Sequence, residues 1–276
     1  MPCERWVAAR LVCGLGNRLF QLAAAHTVST EWTDSTLVFA MPYCLPSEHG
    51  DFDTIFKLFP TIEKVWKAEP LLSIEQDGCF KYTPFPTVSP ADRVLLRGFW
   101  QSAEYVSDDF KPCWDSVDTK PLLERWSLTT DLQKQKTAFL HVRLGDYMIL
   151  PHHQVNLLSY YVKAMANFPD DTRFLVFSDE IEKAKTLPVF HDRCVFVDEA
   201  SELNTLYLMS SCHAGAITAN SSFSWWGAFF GRQAAETLKV VSHRVYMPSP
   251  WMAQCDESTN PIYPPWATVI SSVVPR

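Results

Sequence analysis

"RWVAARLVCGLGN" (residues 5–17) decides the fold. An apolar run enters two glycines, at 14 and 16, and ends on Asn17. The pattern predicts a buried strand that stops at a glycine turn. The next stretch, "NRLFQLAAAHTVSTEW" (17–32), has helical spacing and alanine-rich helix formers. "STLVFAM" (35–41) then predicts a second buried strand. Strand, tight loop, helix and strand in that order are the signature of a parallel α/β sheet.

The alternation breaks and then restarts. Residues 42–93 are rich in proline and aromatics and have no clear period. "RVLLRGF" (93–99) predicts another strand, 102–114 the start of a helix, and 121–136 a helical connection. From "TAFLHVR" (137–143) strands are expected at 137–143, 173–179, 193–199, 214–220 and 239–248. Helices are expected at 156–168, in "EIEKAKTL", and at 201–212 and 222–238. The reading is therefore two α/β halves, 1–130 and 131–250, and a loop-like tail, 251–276, broken by prolines.

Composition narrows the function. The chain has 276 residues, 47% hydrophobic and 20% charged, enough to bury a core without covalent staples. A net charge of −7 argues against nucleic acid or an anionic membrane surface as partner. An anionic ligand would have to be held by local cations. The eight cysteines are scattered without a CxxC spacing and read as mostly buried free thiols. The N-terminus lacks an apolar core, and 203–231, the longest stretch without Asp, Glu, Lys or Arg, is rich in Ser and Thr. Neither reads as a signal peptide or membrane span, so a soluble cytoplasmic protein is expected.

Four stretches carry candidate chemistry. In "GLGN" (14–17), Gly16 and Asn17 stand where a backbone can approach a ligand at a helix start. The pattern is neither GxGxxG nor a Walker A loop. In "HVRLGDY" (141–147), His141 and Arg143 point to the same side of an extended segment. Arg143 can fork two N–H groups onto phosphate oxygens, and Asp146 can orient it. An ordinary structural Arg–Asp pair is the competing reading. In "TANSSFSWWGAFFGRQ" (218–233), the N–H groups of a helix start and the hydroxyls of Ser222 and Ser224 could form a phosphate nest. The aromatic residues that follow read as core. "FSDE" (177–180) brings two carboxylates, Asp179 and Glu180, to a strand end, where carboxylates can accept paired N–H donors.

Six stretches occur together in one order: "GLGNRLFQLAAA" (14–25), "LRGFWQSAEY" (96–105), "HVRLGDY", "FSDE", "NSSFSWWGAFF" (220–230) and "PIYPPW" (261–266). In this the chain resembles the α-1,2-fucosyltransferase-like glycosyltransferases over nearly its whole length. The resemblance implies a GT-B architecture of two Rossmann-like halves with a cleft between them. The N-terminal half would present the acceptor and the C-terminal half GDP-fucose. It implies inverting, metal-independent transfer of fucose to a glycan hydroxyl, α-1,2 to galactose, with no cofactor beyond the donor. Arg143 would stabilise the leaving diphosphate, and His141 would lie by the ribose or diphosphate. Asp179, with Glu180, would read guanine. Ser222, Phe223 and Ser224 would hold phosphate, Asn220 would be a further donor-binding residue, and Gly16 and Asn17 would close the site from the other half.

Three positions depart from the family pattern. Leu144 replaces the second of two tandem arginines, Gly215 stands where a histidine is usual, and Arg18 stands where glutamine is usual. Arg18 is a candidate for restoring the missing charge. A donor with another nucleotide sugar, or a binding protein without catalysis, are the alternative readings.

Overall fold

The computed structural model describes residues 5–32, 34–46, 51–77, 80–253 and 262–272. The chain divides into two compact units, each built on a parallel sheet. The first holds residues up to 116 together with 262–264, and the second holds the rest from 117. The boundary thus lies at 116/117 and not at 130/131. The helices over 119–135 belong to the second unit because they lead directly into its first strand.

In the first unit β1 (Trp6–Ala9) leads into α1 (Leu15–Glu31) and β2 (Thr36–Ala40). Next come α2 (Asp53–Leu58), β3 (Glu63–Val65), β4 (Leu72–Glu75) and β5 (Arg93–Arg97). The strand order is β3-β2-β1-β5-β4, all parallel. β1 is buried along its whole length, which explains its unbroken apolar run. α1 starts at Leu15, so only Gly14 precedes the helix. The positive φ in this turn falls on Cys13, at 65°. The helix expected in 102–114 is a single 3-10 turn, Ala103–Tyr105. The Tyr105 hydroxyl is tied to the backbone of Thr83, and a turn closed by the Phe110 N–H on the Ser107 carbonyl follows in place of further helix.

In the second unit α3 (Thr119–Arg125) and α4 (Asp131–Gln135) precede β6 (Thr137–Val142). Then follow α5 (Leu158–Met165), β7 (Arg173–Ser178), α6 (Ile181–Lys185), β8 (Cys194–Phe196) and α7 (Glu202–Ser210). β9 (Gly215–Ile217), α8 (Ser222–Thr237), β10 (Arg244–Ser249) and β11 (Thr268–Ser271) complete it. Read from one edge, the order is β8-β7-β6-β9-β10-β11, all parallel. This is the doubly wound order 3-2-1-4-5-6 counted from β6. The tail is not all loop: β11 pairs along β10 and closes the sheet edge.

α8 shows why its sequence is so aromatic. Trp225, Trp226, Phe229 and Phe230 are all buried and pack ring against ring. They are core, as the sequence suggests. Among the described residues, Cys44, Cys113, Cys194 and Cys212 are free thiols. Cys3, Cys79 and Cys255 lie outside the described residues. No described helix is long and apolar enough to cross a membrane.

Candidate functional site

In a doubly wound sheet, ligands sit at the carboxyl ends of strands where the chain order reverses. Here the reversal falls between β6 and β9. β6 ends at Val142, so Arg143, Leu144, Gly145 and Asp146 emerge at that point. β9 runs out through Asn220 into the first turn of α8. Topology therefore joins the second and third candidate stretches.

Arg143 is the centre of the cluster. Its side chain is 26% exposed, and one Nη donates to Asp146 Oδ1 at 2.5 Å. The other Nη lies 3.1 Å from Asp179 Oδ2. Asp179 Oδ1 accepts the Leu144 N–H at 2.9 Å. Gly145 makes this possible, because a Cβ there would lie 2.4 Å from Asp179 Oδ2. Gly145 serves close approach of a carboxylate, not a left-handed turn. The pairing of Arg143 with Asp146 and Asp179 leaves one net negative charge on the three groups.

Several expected roles change. Asp179 reaches back to the β6 loop with both oxygens engaged. It orients Arg143, because β7 pairs with β6 in a register that sets Ser178 beside Val142. Glu180 is turned to Lys183 at 3.1 Å. Asn220 is buried, and its amide donates to the carbonyls of His153 and Trp251 at 3.2 and 3.0 Å. Its amide ties the loops of His153 and Trp251 together. Ser224 is fully buried, and its hydroxyl donates to the Ser221 carbonyl at 3.2 Å. Ser222 and Phe223 are half-buried in the first turn of α8.

His141, the last residue but one of β6, is buried, 5% exposed, with its ring 6.1 Å from that of Phe223. Burial, then the neighbouring Arg143 charge, pushes its pKa down to about 3. It is a neutral imidazole, and its Nδ1 has no hydrogen-bond partner among the described residues. Neutrality has a cost in acid. The unfolded chain binds a proton at this position below about pH 6.5 and the folded chain does not. The contribution is full above that pH and is lost on descent toward 3. Between pH 7 and pH 5 His141 alone should cost about 2 kcal/mol of stability. His213, buried and also lowered, adds in the same direction. Thermal melts at the two pH values check this. The drop should shrink in His141→Gln, and an equal drop in both proteins would contradict the assignment.

In the first unit, Gly16 is buried in the first turn of α1. The Asn17 side chain accepts from Gln101 Nε2. β1 and β5 flank the order reversal of that sheet, so this pair stands at its equivalent point. Arg18 is not a surface cation. It is 1% exposed, lies over the Phe52 ring at 4.0 Å from the centroid and donates to the Asp51 carbonyl. A long apolar stem and a planar guanidinium allow that burial.

Nothing in the sequence marks Tyr147 as a site residue. Its ring lies 5.3 Å from the Arg143 guanidinium carbon and stacks parallel on His153 at 4.1 Å. Its hydroxyl donates to the Asn220 carbonyl at 3.2 Å. Among the described residues, no group of three or more His, Cys, Asp or Glu is arranged to hold a metal ion.

Comparison with known proteins identifies the family. The sequence profile described as Glycosyl transferase family 11 matches residues 86–262. An "Alpha-1,2-colitosyltransferase" of Escherichia coli is 29% identical, over 81% of this chain and 87% of that protein. The "O-antigen biosynthesis glycosyltransferase WbnK" of Escherichia coli is 33% identical, over 84% of this chain and 91% of that protein. Among solved structures, the NodZ alpha-1,6-fucosyltransferase soaked with GDP-fucose is 16% identical, with a TM-score of 0.48, covering 82% of this chain and 92% of that one. The family match spans the β6 loop, Asp179 and the α8 turn, and the chain belongs to glycosyl transferase family 11.

Proposed function

We propose that this glycosyltransferase moves L-fucose from GDP-fucose, with inversion and without a metal ion, to a glycan hydroxyl, as an α-1,2 linkage to galactose. One observation carries the reading: a doubly clamped guanidinium, Arg143, stands at the switch point of the second sheet beside the start of a 16-residue helix. In this reaction the diphosphate gains charge while the sugar ring gains oxocarbenium character. Oriented N–H donors that meet charge as it develops usually do more for the rate than any other device. Arg143 and the N–H groups at the start of α8 would supply them. Asp146 and Asp179 hold the guanidinium in place beforehand, so little reorganisation is needed. The incoming diphosphate takes N–H groups that the carboxylates leave open. Neutral His141 adds no charge of its own and shapes the floor beside Phe223.

A second donor is favoured by one observation, the relative named for colitosyl transfer. The test is incubation with GDP-fucose and a panel of galactose-terminated oligosaccharides, with and without EDTA. The proposal expects an α-linked fucose on galactose O2 and no effect of EDTA. Transfer from another GDP-deoxysugar, with none from GDP-fucose, would establish the second donor. Transfer only from a UDP-sugar would overturn both.

A further inference from the structure

We propose that Tyr147 is a positioning residue for Arg143, fixing the guanidinium to the first turn of α8; this rests on the donor-binding role of Arg143 given above. Two carboxylates hold the edge of the guanidinium, Asp146 from its own loop and Asp179 from the end of β7. Neither restrains its face. The Tyr147 ring does, with its centroid 5.3 Å from the guanidinium carbon. Arginine over an aromatic face is attracted by the ring quadrupole as well as by contact.

The ring itself is fixed. It stacks on His153 with planes only 5° apart. Its hydroxyl reaches the Asn220 carbonyl and bonds to the side chain of Ser221, the N-cap residue of α8. Asn220 is held in turn by the His153 and Trp251 carbonyls. Burial keeps the phenol protonated, with its pKa raised to about 12. A chain of contacts therefore runs from the guanidinium through the ring to the helix start. Both anion-holding parts are set relative to each other by one side chain. A merely structural tyrosine would need neither the stacked cation nor the bond to the cap residue.

The experiment is a double-mutant cycle read by GDP affinity in calorimetry, with thermal midpoints alongside. The variants are Tyr147→Leu, Tyr147→Phe, Arg143→Lys and the doubles. Tyr147→Leu should weaken GDP by about 10-fold, the scale of a lost cation–π contact. Tyr147→Phe, which keeps the ring, should recover most of that loss. Arg143→Lys combined with Tyr147→Leu should bind GDP within about 2-fold of Arg143→Lys alone, because the tyrosine acts through the arginine. Fold losses that multiply in the double variant would overturn the inference and leave the donor reading standing. If Tyr147→Leu does not fold, Tyr147→Met, which also removes the ring, takes its place in the cycle under the same criterion. Wild-type protein that fails to bind GDP overturns the donor reading and this inference together.

Discussion

Arg143→Ala is expected to lower kcat for transfer from the proposed nucleotide sugar by at least about 10²-fold, the usual cost of removing one donor to a developing oxyanion. The side chain sits where the doubly wound sheet reverses, and two carboxylates are aimed at it. Its loss leaves Asp146 and Asp179 as like charges facing the incoming diphosphate. The effect should therefore exceed that of removing a neutral donor. Arg143→Lys keeps the charge but loses the fork, so it should recover only part of the rate. Steady-state kinetics with the donor varied decides the point. A raised KM with unchanged kcat would assign Arg143 to ground-state binding alone.

The largest effect on stability is expected at Gly215, the first residue of β9. Its φ is +142°, and a Cβ would lie 1.8 Å from the Arg244 carbonyl oxygen. The obstacle is backbone, and β9 and β10 are paired at this position. Neither strand can move without breaking the ladder. Gly215→Ala should cost about 4 kcal/mol and lower Tm by roughly 10 °C. Gly231→Ala is the control. Its nearest neighbours are 3.6 Å away, so the alanine should be neutral or add about 0.5–1 kcal/mol through helix propensity. Equal melting of wild type and Gly215→Ala would refute the packing account. The same geometry explains one departure from the family pattern. Gly215 lies at the start of its strand, away from the loop of Arg143, and no side chain fits there.

What can be read from the sequence follows from burial. β1, β6 and β7 are inner strands of parallel sheets, so their apolar runs stand out. β3 is "EKV" and β11 is "TVIS", short edge strands with exposed side chains, and neither has a pattern to find. β4 alternates over only four residues within a proline-rich region. The site is half legible for a related reason. Arg143 and Asp146 lie three residues apart, and their pairing is local. The partnership of Arg143 with Asp179 depends on the register of β6 against β7, which no local pattern states. Asn220 reads as a ligand residue because it ends a strand. Its amide instead meets carbonyls 67 and 31 positions away in the chain. Arg18 reads as a site cation, but Phe52 and the Asp51 carbonyl draw it inward.

The most direct measurement is thermal stability of the wild-type protein against GDP, UDP, ADP and CMP, each with and without EDTA. A ligand at 100 times its Kd adds about 2.7 kcal/mol, which a melt resolves. A rise in Tm is expected with GDP, unchanged by EDTA and absent with the other nucleotides. A rise with UDP instead of GDP, or one that EDTA abolishes, would contradict a metal-free GDP-sugar site built around Arg143.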